Sequence, residues 1–172
     1  MGRVFDFDSS IKQRMQDALD DLHDLKCKQC RLIYPPRWLA CGNCVYDPIG
    51  KKSSNRYLNG GPLPFPNASV CPMCSGSGKR ASEQTEIIQL AIEWNPSQWI
   101  KLGDQNIRLP DGTILTKGYI NLIPKVKKAI EMIAAIDIEG LNQYRYKLYG
   151  EPVDRYSIFK YHYFEAYWER IK

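Results

Sequence analysis

The alternation of apolar and polar positions divides the chain into three stretches. Over residues 9–25, Ile11, Met15, Ala18, Leu19, Leu22 and Leu25 recur at steps of three and four, which places them on one face of an amphipathic helix. Residues 26–80 hold no lasting period beyond Leu32-Ile33-Tyr34 and Trp38-Leu39. Turn formers crowd this stretch: Pro35-Pro36, Asp47-Pro48, Asn59-Gly60-Gly61-Pro62 and Ser75-Gly76-Ser77-Gly78. From residue 86 the period becomes two. Ile88, Leu90, Ile92 and Trp94 alternate with Gln89, Ala91 and Glu93; Tyr144, Tyr146 and Leu148 alternate with Arg145 and Lys147; Phe164, Ala166 and Trp168 alternate with Glu165 and Tyr167. Asp111-Gly112 predicts a hairpin between residues 106–109 and 113–120, and Pro124 predicts the start of a short helical turn. Together these elements predict an α+β protein, mainly β. It has an N-terminal amphipathic helix (1–25), a Cys-rich metal-binding module (26–80) inserted before the sheet, and a small antiparallel β-barrel or sheet (81–172).

The chain has 172 residues, 44% of them hydrophobic and 25% charged, the composition of one globular domain with a small appended module. No run approaches the roughly 18 to 20 apolar residues that a membrane-spanning helix needs, and no apolar segment follows Met1 to serve as an export signal. No membrane partner is therefore expected. The net charge is 24 − 19 = +5, unevenly spread. Residues 1–25 carry three basic and six acidic groups, residues 26–80 nine and one, and residues 81–172 twelve of each. The excess of positive charge coincides with the cysteines. It has two readings: contact with a polyanion such as nucleic acid, or solubility for a module with little core.

Three CxxC pairs occur: Cys27/Cys30, Cys41/Cys44 and Cys71/Cys74. Two intervening residues make a tight turn that brings both sulfurs to one cation, and two such knuckles close a four-thiolate tetrahedral site. Cys41-Gly42-Asn43-Cys44 and Cys71-Pro72-Met73-Cys74 contain turn formers, so Cys41, Cys44, Cys71 and Cys74 are the expected ligands. Cys27-Lys28-Gln29-Cys30 has no turn former and borders a strand-like run, so Cys27 and Cys30 are either packed thiols or a secondary metal pair. Zinc is the expected ion, with an iron–sulfur cluster as the alternative for the same ligand set. Disulfides suit neither the small CxxC ring nor a chain without an export signal. A redox CxxC lacks the surrounding βαβ pattern.

No nucleophile elbow, P-loop, zincin or dinucleotide fingerprint is present, and the zinc deaminase pattern is missing. His23, among Asp20, Asp21 and Asp24, reads as a solvated surface group, and His162 as a sheet residue. Asp47 before Pro48 reads as a turn cap. The chain is expected not to be an enzyme and to work through its surfaces. Tyr144, Tyr146, Tyr149, Tyr156, Tyr161, Tyr163, Tyr167 and Trp168, with Arg145, Lys147, Arg155, Lys160 and Arg170, fit three roles: base stacking, a protein interface or cross-strand pairing.

CPMCSGSGK at 71–79 resembles one repeat of the DnaJ-type cysteine-rich module, which speaks for the knuckle geometry alone. A longer resemblance runs from about residue 40 to the end. DPIGKKSSNRY (47–57), GGPLPFPN (60–67), CPMCSGSGK, LIPKVKKA (122–129), YRYKLYGEP and YFEAYWERI, in that order, look like a small structural protein of tailed bacteriophages, cyanophage-like myophages in particular. The resemblance implies a virion component, assembled in the host cytoplasm, at the head–tail junction (neck, connector or stopper). It implies a ring homo-oligomer that contacts neighbouring head, neck or tail proteins, with DNA passing through its lumen. A tail or baseplate position and a nucleic-acid-binding zinc ribbon are the competing readings.

Overall fold

The computed structural model describes residues 8–97, 99–102, 105–140, 144–156 and 161–171. Its elements confirm an α+β, mainly β chain. They run α1 (Ser9–Lys26), β1 (Cys27–Ala40), β2 (Cys44–Asp47), β3 (Lys52–Tyr57), β4 (Lys79–Glu93), β5 (Trp99–Leu102), β6 (Gln105–Arg108), β7 (Ile114–Tyr119), a 3₁₀ turn (Ile120–Leu122), α2 (Ile123–Lys128), β8 (Glu131–Ile133), β9 (Arg145–Tyr156) and β10 (Tyr161–Arg170). Two compact units emerge: Met1–Tyr34 with Thr85–Lys172, and Pro35–Gln84.

The first unit is a closed barrel with strand order β1-β4-β7-β10-β9-β8. The period-two faces point inward. Phe164, Ala166 and Trp168 of β10, Leu90 of β4, Leu32 of β1 and Met132 of β8 are fully buried. In register, Phe164 opposes Gly118 and Ala166 opposes Thr116. A Cβ at Gly118 would lie 2.6 Å from Leu90 and 2.8 Å from Phe164, so a larger residue there would force these buried side chains to shift. Thr116 accepts the indole N–H of Trp168 at 2.9 Å, which satisfies the one polar group that Trp168 carries into the core. Val126 and Ala129, from α2 and its cap, join this core.

Two expectations change. The Cys-rich module does not precede the sheet but interrupts its chain, falling between β1 and β4 in sequence, because Cys27–Tyr34 supplies a barrel strand whose Leu32 and Ile33 are buried. The turn at Asp111-Gly112 forms, with Thr113 donating to the Pro110 carbonyl at 2.7 Å. It does not make a hairpin of its flanks: β6 pairs with β5, whereas β7 lies between β4 and β10.

Helix α1 attaches to the barrel by an unexpected face. Tyr163 donates a hydrogen bond to Asp20, His162 Nε2 lies 3.5 Å from the same carboxylate, and Tyr119 donates to Asp24 at 2.8 Å. His23 is half-buried between the rings of Tyr119 and Tyr163, not solvated. Burial pushes its pKa down, only partly offset by Asp24 and Asp20. His162 lies in β10, as a sheet residue should. The apolar stripe of α1 faces solvent: Ile11, Met15, Leu22 and Leu25 are all exposed, Leu25 to 80%. Among the described residues no helix is long and apolar enough to cross a membrane.

Candidate metal centre

The second unit has almost no apolar core. Its buried hydrophobic cluster is Cys41, Cys44, Cys71 and Cys74, with Phe65 and Met73 packed against it. The four sulfurs lie within 4.8 Å of one another. Cys41 Sγ and Cys71 Sγ are 3.9 Å apart, and Cys44 Sγ and Cys74 Sγ are 3.6 Å apart. A tetrahedral ion with bonds of about 2.3 Å would space its sulfurs by about 3.8 Å. The four side chains are therefore already disposed around the volume of a single ion, and they can hold one.

Local backbone chemistry explains the convergence. In the second knuckle Ser75 N–H donates to Cys71 C=O at 2.9 Å and Ser77 N–H to Cys74 C=O at 3.0 Å, and the chain passes through positive φ at Ser75, Gly76 and Gly78. Gly78 N–H then points at Cys74 Sγ, 3.2 Å away. A side chain at Gly78 would lie 2.7 Å from Ser53 N and from Tyr46, so this approach needs glycine. The first knuckle is tied to the second by Cys41 N–H donating to Gly78 C=O at 3.0 Å. The hairpin β2–β3 follows the first knuckle directly, beginning at Cys44 itself. Its Asp47 accepts from Ile49 N–H at 3.0 Å, the turn-capping role its position before Pro48 implied.

Asn43 was legible only as a turn former, yet it organises the centre. It is fully buried, donates to Leu63 C=O at 2.8 Å and accepts from Leu63 N–H at 2.8 Å. The same amide donates to Cys71 Sγ at 3.6 Å. Burial alone would push the Cys71 thiol up. The Asn43 amide and the backbone N–H groups of Met73 and Cys74 outweigh it and bring its pKa down to about 6. Cys44, by contrast, is pushed up to about 12, mainly by burial. Four such sulfurs share their space comfortably only when a cation offsets the charge of the thiolates.

Comparison with protein-family models, curated proteins and solved structures finds no match to this chain. The site therefore rests on its own geometry. The third CxxC belongs to the barrel unit. Cys30 is buried in the barrel core, its pKa pushed up to about 12 by burial, as a packed thiol. Cys27 is half-buried at the junction of α1 and β1, beside His23 and Asp24.

The aromatic set of the last two strands divides between roles. Trp168 and Tyr146 are core residues. Tyr163 anchors α1, and the Arg170 guanidinium stacks 3.7 Å from the Tyr144 ring. The side chains of Tyr156 and Tyr161, and all of Lys160, lie outside the described residues.

Proposed function

We propose that this chain is a non-enzymatic structural component of a tailed-phage virion, placed at the head–tail junction and working by assembly with further copies of itself. The observation that carries the assembly reading is the orientation of α1. The helix spends its polar face (Asp20, His23 and Asp24) on the barrel and leaves its apolar stripe bare. Ile11, Met15, Ala18, Leu22 and Leu25 follow 4-3-4-3 spacing, the seam of a two-helix coiled coil. Arg14 and Asp21 flank that seam on one side. In a two-fold antiparallel pairing each Arg14 meets the Asp21 of the other copy, so the stripe is complementary to itself in shape and charge. A ring needs a second, head-to-tail contact besides this seam.

The metal centre supports the same reading. Four cysteines leave no open coordination position for a substrate or a reactive water. The ion's role is to order a module that holds too little apolar surface to order itself. Zinc is the ion we assign. Four sulfurs within 4.8 Å of one another suit a single ion, whereas a cluster sets its own irons and sulfides between the cysteines. The virion position rests on the sequence resemblance from about residue 40 onward. Mass spectrometry of purified particles, and of separated heads and tails, tests it. We expect the chain in intact particles and in neck-bearing fractions. Its absence from intact particles refutes the structural role, and recovery only from neckless tails or baseplates moves it along the particle.

A further inference from the structure

The end of α1 and the start of β1 bring together a second set of metal-ligating groups, separate from the four cysteines of the inserted module. An imidazole nitrogen of His23, a carboxylate oxygen of Asp24 and Cys27 Sγ lie within 4.8 Å of one another. His23 and Cys27, four residues apart, share one side of the helix end, and Asp24 follows His23 directly. The barrel fixes them in place. Tyr119 donates to Asp24 Oδ1 at 2.8 Å, which leaves Oδ2 to meet an ion. The Tyr119 and Tyr163 rings stand 5.1 and 4.7 Å from the His23 ring and set its orientation. Asp20, one turn earlier, is already engaged by Tyr163 and His162.

One polar atom of these three side chains lacks a partner. His23 Nε2 is buried and makes no hydrogen bond among the described residues. Native structures seldom keep a buried polar atom without a partner unless water or an ion meets it. The chemistry of the neighbours favours an ion. An imidazole nitrogen, a carboxylate oxygen and a thiol are together a ligand set that suits a divalent transition metal. A divalent cation satisfies all three at once, and one carboxylate plus one thiolate cancel its charge.

We propose that His23, Asp24 and Cys27 form a second binding site for a divalent transition metal of the zinc class, with one nitrogen, one oxygen and one sulfur ligand. Binding forms the metal–sulfur bond as the Cys27 thiol gives its proton to solvent, with no change of oxidation state. Three protein ligands leave a fourth position for water or for a group from a bound partner, unlike the closed four-cysteine centre. The site pins the bare-faced helix to the barrel and is independent of what covers that face.

The full chain, dialysed against buffered free zinc and analysed for metal, tests this. Wild type should hold two ions per chain. Cys27→Ser and Asp24→Asn should each hold one. The amide oxygen introduced by Asp24→Asn still accepts from Tyr119, so the helix contact survives the loss of charge. The zinc-dependent rise in the unfolding temperature of the barrel should vanish in both variants, while unfolding in chelator stays that of wild type. If Cys27→Ser does not fold, Asp24→Asn decides. With cobalt in place of zinc, a second component with weak thiolate charge transfer should appear in wild type and disappear in Cys27→Ser. Wild-type metal content, whether one ion or two, that survives both substitutions overturns the proposal.

Discussion

Asn43→Ala isolates the residue that supports the four-cysteine centre without ligating it. The side chain makes two bonds of 2.8 Å to the Leu63 backbone and one of 3.6 Å to Cys71 Sγ. Each intramolecular hydrogen bond contributes about 0.5–1.5 kcal/mol net, and more where the partner is charged. Their joint loss should cost about 2–4 kcal/mol. Part of that loosens the segment carrying Leu63, and part raises the cost of the Cys71 thiolate. Removing a group that orients a metal ligand typically weakens binding about 10- to 100-fold. Zinc affinity, read by competition with a chromophoric chelator, should therefore fall by that range. Residues 45–70 should become protease-sensitive at zinc concentrations that protect wild type. Asn43→Asp keeps the shape and the acceptance from Leu63 N–H but cannot donate to Cys71, and it adds charge beside the thiolates. It should be no better than alanine. Wild-type affinity and protease resistance in Asn43→Ala would refute the supporting role assigned to this amide.

Three further predictions concern other parts of the molecule. Cys71→Ser should release the ion of the inserted module and expose residues 45–70 to protease, with the thermal unfolding of the barrel unit much less affected, as metal analysis and calorimetry will read. Thr116→Val leaves the Trp168 indole N–H without its acceptor in a fully buried setting, so chemical denaturation should report a loss of about 1–3 kcal/mol. Glu165 pairs with Arg155 at 2.7 Å and Lys117 at 3.1 Å. Burial raises its pKa, but these partners outweigh burial and hold it below its ordinary 4.5. A lowered carboxylate pKa stabilises the fold above the unfolded value and ceases to do so as pH falls through the folded one. The advantage of wild type over Glu165→Gln, about 1 kcal/mol at neutral pH given the exposed partners, should shrink below about pH 4.5; an advantage that persists in acid contradicts the assignment.

The parts of the fold that were legible share one property: a single buried face. β9 and β10 alternate because one side of each meets the barrel core, and β4 alternates up to Leu90 before Ala91 is buried as well. β1 was legible as a strand-like run but not as part of the barrel, because only its first half lies in that unit and both Leu32 and Ile33 are buried there, which breaks the period. Asp111-Gly112 fixes that the chain turns, but a turn dipeptide carries no information about which strand lies next to which. The two knuckles were legible because the two-residue spacing is itself the geometry. Asn43 was not, since the same residue type serves turns and hydrogen bonds alike. In α1 the pattern located the apolar stripe correctly and said nothing of which face the barrel would take. Three acidic neighbours made His23 look solvated, whereas two tyrosines far along the chain enclose it.

Native mass spectrometry of the full zinc-loaded chain tests the assembly claim most directly. Wild type should form a defined oligomer with zinc on every copy. Leu22→Gln with Leu25→Gln, both in the exposed stripe, should convert it to monomer while each chain keeps its zinc. Wild-type protein that stays monomeric across the concentration range, or a double variant that assembles as well as wild type, contradicts the account.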